Sequence, residues 1–95
     1  MRDYELVAII SPELDGEGVS EMIDRVSQSI NSRGGVVEEI KKWGRRKLAY
    51  PIRKFMEADY VLARFQLMPQ SVKELEVEIS ASEDILRYLV VKVSD

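Results

Sequence analysis

The chain has 95 residues, 45% hydrophobic and 33% charged, with 5 Gly and 3 Pro, the size and composition of one globular domain over residues 1–95 rather than of two domains or a disordered chain. It contains no Cys and no His, which excludes disulfides, thiolate nucleophiles, imidazole bases and metals held by those ligands, and with them most hydrolase and zinc chemistry. The net charge is −3, the longest apolar run, residues 6–10, is far short of the roughly 20 residues a bilayer span needs, and the N-terminus lacks a signal-peptide core, so a cytoplasmic protein is expected.

Taken in chain order, residues 3–10 set Tyr4, Leu6, Ala8 and Ile10 against Glu5, Val7 and Ile9, a strand with apolar character on both faces that Ser11 and Pro12 end. Asp15 is the expected N-cap of a helix with Glu17 in its first turn, an apolar stripe of Val19, Met22, Ile23, Val26 and Ile30, and a stop at Arg33, Gly34 and Gly35. Residues 36–52 read as a strand interrupted at Gly44 and Pro51, and therefore as a sheet edge. A turn is expected over Phe55, Met56 and Glu57, after which residues 59–67 alternate as a third strand. Pro69 and a capping box from Ser71 to Glu74 announce a second helix with Val72, Leu75 and Ile79 facing inward. Residues 85–93 form the last strand, with Leu86, Tyr88 and Val90 on one face and Arg87, Leu89 and Val91 on the other. The order βαββαβ predicts an α+β, ferredoxin-like two-layer sandwich, both helices on one face of a four-stranded antiparallel sheet.

Charge is segregated along this chain. Residues 41–54 carry Lys41, Lys42, Arg45, Arg46, Lys47, Arg53 and Lys54 with no acid, while the remainder holds 7 basic against 17 acidic residues. An acidic body with one basic arm points to an anionic partner; the alternative is a charged edge strand guarded against aggregation. The sheet face away from the helices is expected to carry Val7, Ile9, Leu62, Leu89 and Val91 beside Arg64 and Arg87, an apolar patch that a partner would cover. RNA-recognition motifs share the topology, but strand one places Val7 and Ile9 where their stacking aromatics stand. Trp43 and Tyr50 lie instead in the arm, where either can stack on a base or anchor the arm to the core. Acylphosphatase-like enzymes need an arginine in the loop after strand one, and residues 11–15 supply no basic group. Glu74 and Glu78 share one helix face without converging ligands and are expected to be solvated rather than metal-binding.

The run Trp43-Gly44-Arg45-Arg46-Lys47-Leu48-Ala49-Tyr50-Pro51-Ile52-Arg53-Lys54 resembles the signature of the bacterial small-subunit ribosomal protein six family. The likeness extends through Arg2-Asp3-Tyr4-Glu5, Pro12-Glu13-Leu14-Asp15 and Leu86-Arg87-Tyr88-Leu89-Val90-Val91-Lys92, and so covers essentially the whole chain. The resemblance implies a βαββαβ protein with no catalysis and no cofactor, binding small-subunit rRNA of the central domain as a heterodimer with small-subunit protein eighteen. On that basis Arg2, Lys41, Lys42, Arg45, Arg46, Lys47, Arg53, Lys54, Arg87 and Lys92 are expected to contact RNA. Val7, Ile9, Trp43, Leu48, Tyr50, Leu89 and Val91 are expected to face the partner protein. Two departures stand out: the chain stops at Asp95 without the longer charged tail of many members, and the turn expected at Phe55-Met56-Glu57-Ala58 lacks the glycine some members have. The competing reading is a self-associating or ligand-sensing ferredoxin-like module in which the arm only protects an edge.

Overall fold

A computed structural model describes residues 1–93 of the chain; the expectation about its end at Asp95 lies outside the described residues. The elements follow the predicted order: β1 (Arg2–Ile10), α1 (Gly16–Ser32), β2 (Val36–Ile52), β3 (Phe55–Leu67), α2 (Pro69–Ala81) and β4 (Ile85–Lys92). The sheet order is β2-β3-β1-β4, with every neighbouring pair antiparallel. β1 and β3 are central, and the two edges are a strand of 17 residues and one of 8.

The alternation read in β1 sorts its side chains: Leu6, Ala8 and Ile10 are buried beneath the helices together with Val61, Ala63, Phe65 and Leu67 of β3. Val19, Met22 and Ile30 of α1 and Leu75 and Ile79 of α2 close this core from above. Full burial of a side chain such as Phe65, Ile30 or Leu75 contributes about 1.5–3 kcal/mol each. Tyr4 and Phe65, directly paired across β1 and β3, stack with ring centroids 5.7 Å apart.

Both helix ends of α1 are made as the residues dictate. The Asp15 carboxylate accepts from Gly18 N–H at 2.7 Å. At the other end Gly34 N–H donates to Asn31 and Gly35 N–H to Ile30, the paired bonds of a Schellman stop. Gly35 is demanded by space: a Cβ there would lie 2.6 Å from the Gln66 carbonyl oxygen and 2.7 Å from Ile30 Cγ2.

Two expectations are corrected. The hairpin turn is not at Phe55-Met56-Glu57 but at Arg53-Lys54, since Ile52 pairs with Phe55, and β3 begins at Phe55 rather than at residue 59. Both turn residues adopt positive φ, 48° and 73°, the conformation a two-residue hairpin matched to the strand twist requires. Neither residue is the Gly or Asn that would have announced it. Second, α2 starts at Pro69 with Met68 as N-cap and no side-chain cap bond. The Ser71 capping box is not formed, because Ser71 is already in the first turn and its N–H bonds to the Met68 carbonyl.

Candidate nucleic-acid and protein interface

The β1–β3 ladder ends at Ile10 opposite Asp59, so the hairpin beyond it, residues 46–58, projects past β1. Two irregularities shape this arm. Between Lys42 and Gly44 the register shifts, Gly44 (φ 82°) sits opposite Tyr60, and Trp43 becomes the extra residue of a bulge. Between Lys47 and Ile52 four residues of β2, ending in Pro51, face only Met56 on β3. Pro51 has no N–H to lose there, and the strand bends.

Bending folds the arm back over the far end of β4. Leu48, Ala58 and Leu86 form a second buried cluster, flanked by Ile9, Ile52, Phe55 and Tyr60. Polar ties reinforce it. Arg53 Nη1 donates to the Glu83 carbonyl at 3.0 Å, and Arg87 Nη1 donates to the Tyr50 hydroxyl at 3.0 Å with its guanidinium over the ring. At the arm's root Arg45 donates to the Asp59 carboxylate at 3.2 Å and to the Pro12 carbonyl at 3.3 Å.

The predicted RNA-contacting residues therefore separate by what they already do. Arg45, Arg53 and Arg87 hold the arm. Lys42 Nζ reaches Ser20 of α1 at 2.7 Å, on the helix side of the sheet, and Lys41 pairs loosely with Glu39 at 3.8 Å. Arg46 lies 6.0 Å from the Trp43 ring centroid. Lys47 and Lys54 are exposed on the arm and Arg2 at the start of β1, each with a side chain that makes no hydrogen bond or ion pair to another described residue. Arg2 and Lys92 stand at the opposite end of the sheet: Lys92 pairs with Tyr4, and the length of β1 puts about 26 Å between Arg2 and the arm's root. One phosphate run can reach both ends only by crossing the sheet.

The residues predicted to face a protein partner are likewise divided. Cross-strand pairing lines up Lys41, Leu62, Val7 and Leu89 in one row on the open face, with Glu39, Arg64, Glu5 and Val91 in the next and Gly44, Tyr60, Ile9 and Arg87 on the other side. Leu89 is 59% and Val91 44% exposed, whereas Val7 and Leu62 are half-buried. Ile9 packs under the arm and Leu48 is buried there, so Leu48 serves the chain's own packing. Arg64 donates to Glu5 at 2.7 Å across the same face, and this bond raises the Arg64 pKa above its usual value.

One cluster escaped sequence reading. Arg33 at the end of α1 bonds Glu78 of α2 at 3.0 Å and faces Glu74 at 3.7 Å, while the Ser29 hydroxyl donates to Glu78. These bonds, the one from Ser29 first, pull the Glu78 pKa below the ordinary carboxylate value. Both glutamates remain exposed to solvent, as expected, and also pair with Arg33 as a surface clamp between the helices; Arg33 sits 45 residues from Glu78, a separation no local pattern reveals. Among the described residues no group of His, Cys, Asp and Glu is arranged to hold a metal ion, and no helix is long and apolar enough to cross a membrane.

Comparison with known proteins specifies the class of this ferredoxin-like sandwich with its basic hairpin and partly apolar open face: it is that of the small-subunit ribosomal proteins. The family model for ribosomal protein S6 matches residues 3–92, and the chain belongs to that family. It is 42% identical over 91 residues to the small ribosomal subunit protein bS6 of Clostridium novyi, covering 96% of each chain. The crystal structure of 30S ribosomal protein S6 from Thermotoga maritima superposes with a TM-score of 0.92 at 32% identity, covering 97% of this chain and 87% of that one. The C-terminal domain of the MgtC protein from Mycobacterium tuberculosis, covering 98% and 88%, shares the fold with a TM-score of 0.69 at 12% identity, a likeness of architecture alone.

Proposed function

We propose that the protein is a structural, non-catalytic constituent of the small subunit of the cytoplasmic ribosome that binds central-domain rRNA as a heterodimer with small-subunit protein eighteen. The observation that carries this reading is spatial: exposed cations cluster on the arm, with no acid between residues 41 and 54, while the apolar row through Leu62, Val7 and Leu89 lies uncovered beside it. Phosphate contacts through Lys41, Arg46, Lys47 and Lys54 supply affinity without sequence reading. Val7, Leu89 and Val91 supply apolar area for the protein partner, and the acidic body attracts a basic one.

Binding of the protein, alone and mixed with protein eighteen, to a central-domain rRNA fragment across a salt series tests it. If about four phosphates are neutralised, the log-log slope is roughly −3 to −4. Binding confined to the mixture supports the heterodimer. A stable homodimer with no RNA binding at any salt overturns the reading in favour of a self-associating module.

A further inference from the structure

At the root of the arm a shallow, open cleft of about 400 Å³ is lined by four residues, Trp43, Arg46, Lys47 and Tyr60. Two are aromatic and two are cationic, with Glu57 standing opposite Lys47 across the strands. The bulge makes this cleft: with Gly44 opposite Tyr60, the extra residue Trp43 is set beside Tyr60 on the open-face side, still 44% exposed. Arg46, opposite Ala58, brings its guanidinium to the Trp43 ring. Directly behind, Arg45 is fixed to Asp59 and Pro12, which holds the root of the arm in place before any ligand arrives.

We propose that this cleft receives one unstacked nucleobase of single-stranded RNA, which stacks on Trp43 while Arg46 and Lys47 take the adjoining phosphates. The proposal rests on the rRNA-binding reading above and moves Trp43 from the predicted protein interface to the RNA. Charge supports the reassignment: two cations at the rim favour a phosphate and repel the basic partner that the acidic body would attract. A planar π-face beside two cations is the arrangement by which single-stranded nucleic acid is held without sequence reading.

Trp43 is the only tryptophan in the chain, so its fluorescence reports this cleft directly. The full-length protein, alone and mixed with protein eighteen, is titrated with a single-stranded RNA of about ten nucleotides and with an abasic strand of the same length, each also followed by anisotropy of an end label. The RNA is expected to quench Trp43 saturably and the abasic strand to leave its emission unchanged. Trp43→Ala is expected to lower affinity for the RNA about 5- to 100-fold and leave the abasic strand unaffected; Trp43→Phe is expected to keep most of the affinity. Arg46→Gln, which leaves the ring in place, is expected to weaken both strands alike and keeps the test open if Trp43→Ala folds poorly. Unchanged emission, or equal affinity for base-bearing and abasic strands, overturns the base site. If the paired proteins still bind the central-domain fragment with the salt slope above, the rRNA reading survives that failure. Quenching by protein eighteen but not by RNA assigns the cleft to a protein and also overturns the proposal.

Discussion

The Tyr50 hydroxyl accepts a hydrogen bond from Arg87 Nη1 at 3.0 Å, and the same guanidinium stands 5.5 Å from the centroid of the Tyr50 ring. These residues belong to the two opposite edges of the sheet, so their contact measures how far the arm has folded back over the strands between them. Tyr50 is nonetheless 57% exposed, and the latch is a surface bond that local opening can break.

Tyr50→Phe removes the acceptor and keeps the ring. A net loss of about 0.5–1.5 kcal/mol is expected to fall on the arm alone, raising amide exchange at Leu48 and Ala49 roughly 2- to 10-fold. Exchange at Phe65 and Leu6 is expected to stay unchanged. Native-state hydrogen exchange checks this, and equal acceleration in arm and core would show that the latch does not act locally.

Lys54 holds φ at 73° with a side chain that makes no bond to another described residue. Glycine adopts that conformation without steric cost, so Lys54→Gly is expected to stabilise the protein by about 1 kcal/mol. In a domain of this size that corresponds to a rise in Tm of roughly 4–8 °C. A melting curve with lowered Tm would mean that the turn is not strained as its geometry implies.

Gly35→Ala works in the opposite direction. The new methyl group would meet the Gln66 carbonyl oxygen at 2.6 Å and Leu67 Cδ1 at 2.8 Å. Either the end of α1 or β3 must shift, and a cost of about 1–3 kcal/mol is expected in denaturant unfolding.

The clamp at Glu78 carries a pH signature. Because its folded pKa is lowered, its contribution is fully present above the unfolded carboxylate value of about 4.3 and is lost as pH falls through the folded pKa. Denaturant midpoints of the protein and of Glu78→Gln are expected to differ near neutral pH and to converge in acid. A gap that persists unchanged below the folded pKa would assign the effect to packing instead of charge.

What the sequence revealed follows the range over which each cause acts. Local causes were legible. The alternation of Leu6, Ala8 and Ile10, the Asp15 cap, the stripe through Met22 and Ile30 and the breaks at Gly44 and Pro51 all appear where the residues put them. The Arg53-Lys54 turn was hidden because its geometry contradicts the propensities of its own residues. Ser71 resembled a cap because its spacing to Glu74 fits the motif, but Pro69, pre-set for the first helical position, fixed the start earlier. At the candidate site the positions of the cations were legible and their availability was not. Whether Arg45 or Arg53 can reach a phosphate depends on Asp59 and on the Glu83 carbonyl, 14 and 30 residues away.

The strand order also leaves the sheet with two unlike margins. On β2 the outer edge is bulged and lined with Lys, Arg and a proline, all of which discourage a second chain from adding a strand. On β4 the margin is short but presents Leu89 and Val91 at its exposed face. Strand addition by another chain is therefore expected at β4, beyond the part that Leu48 and Tyr50 cover, rather than at β2.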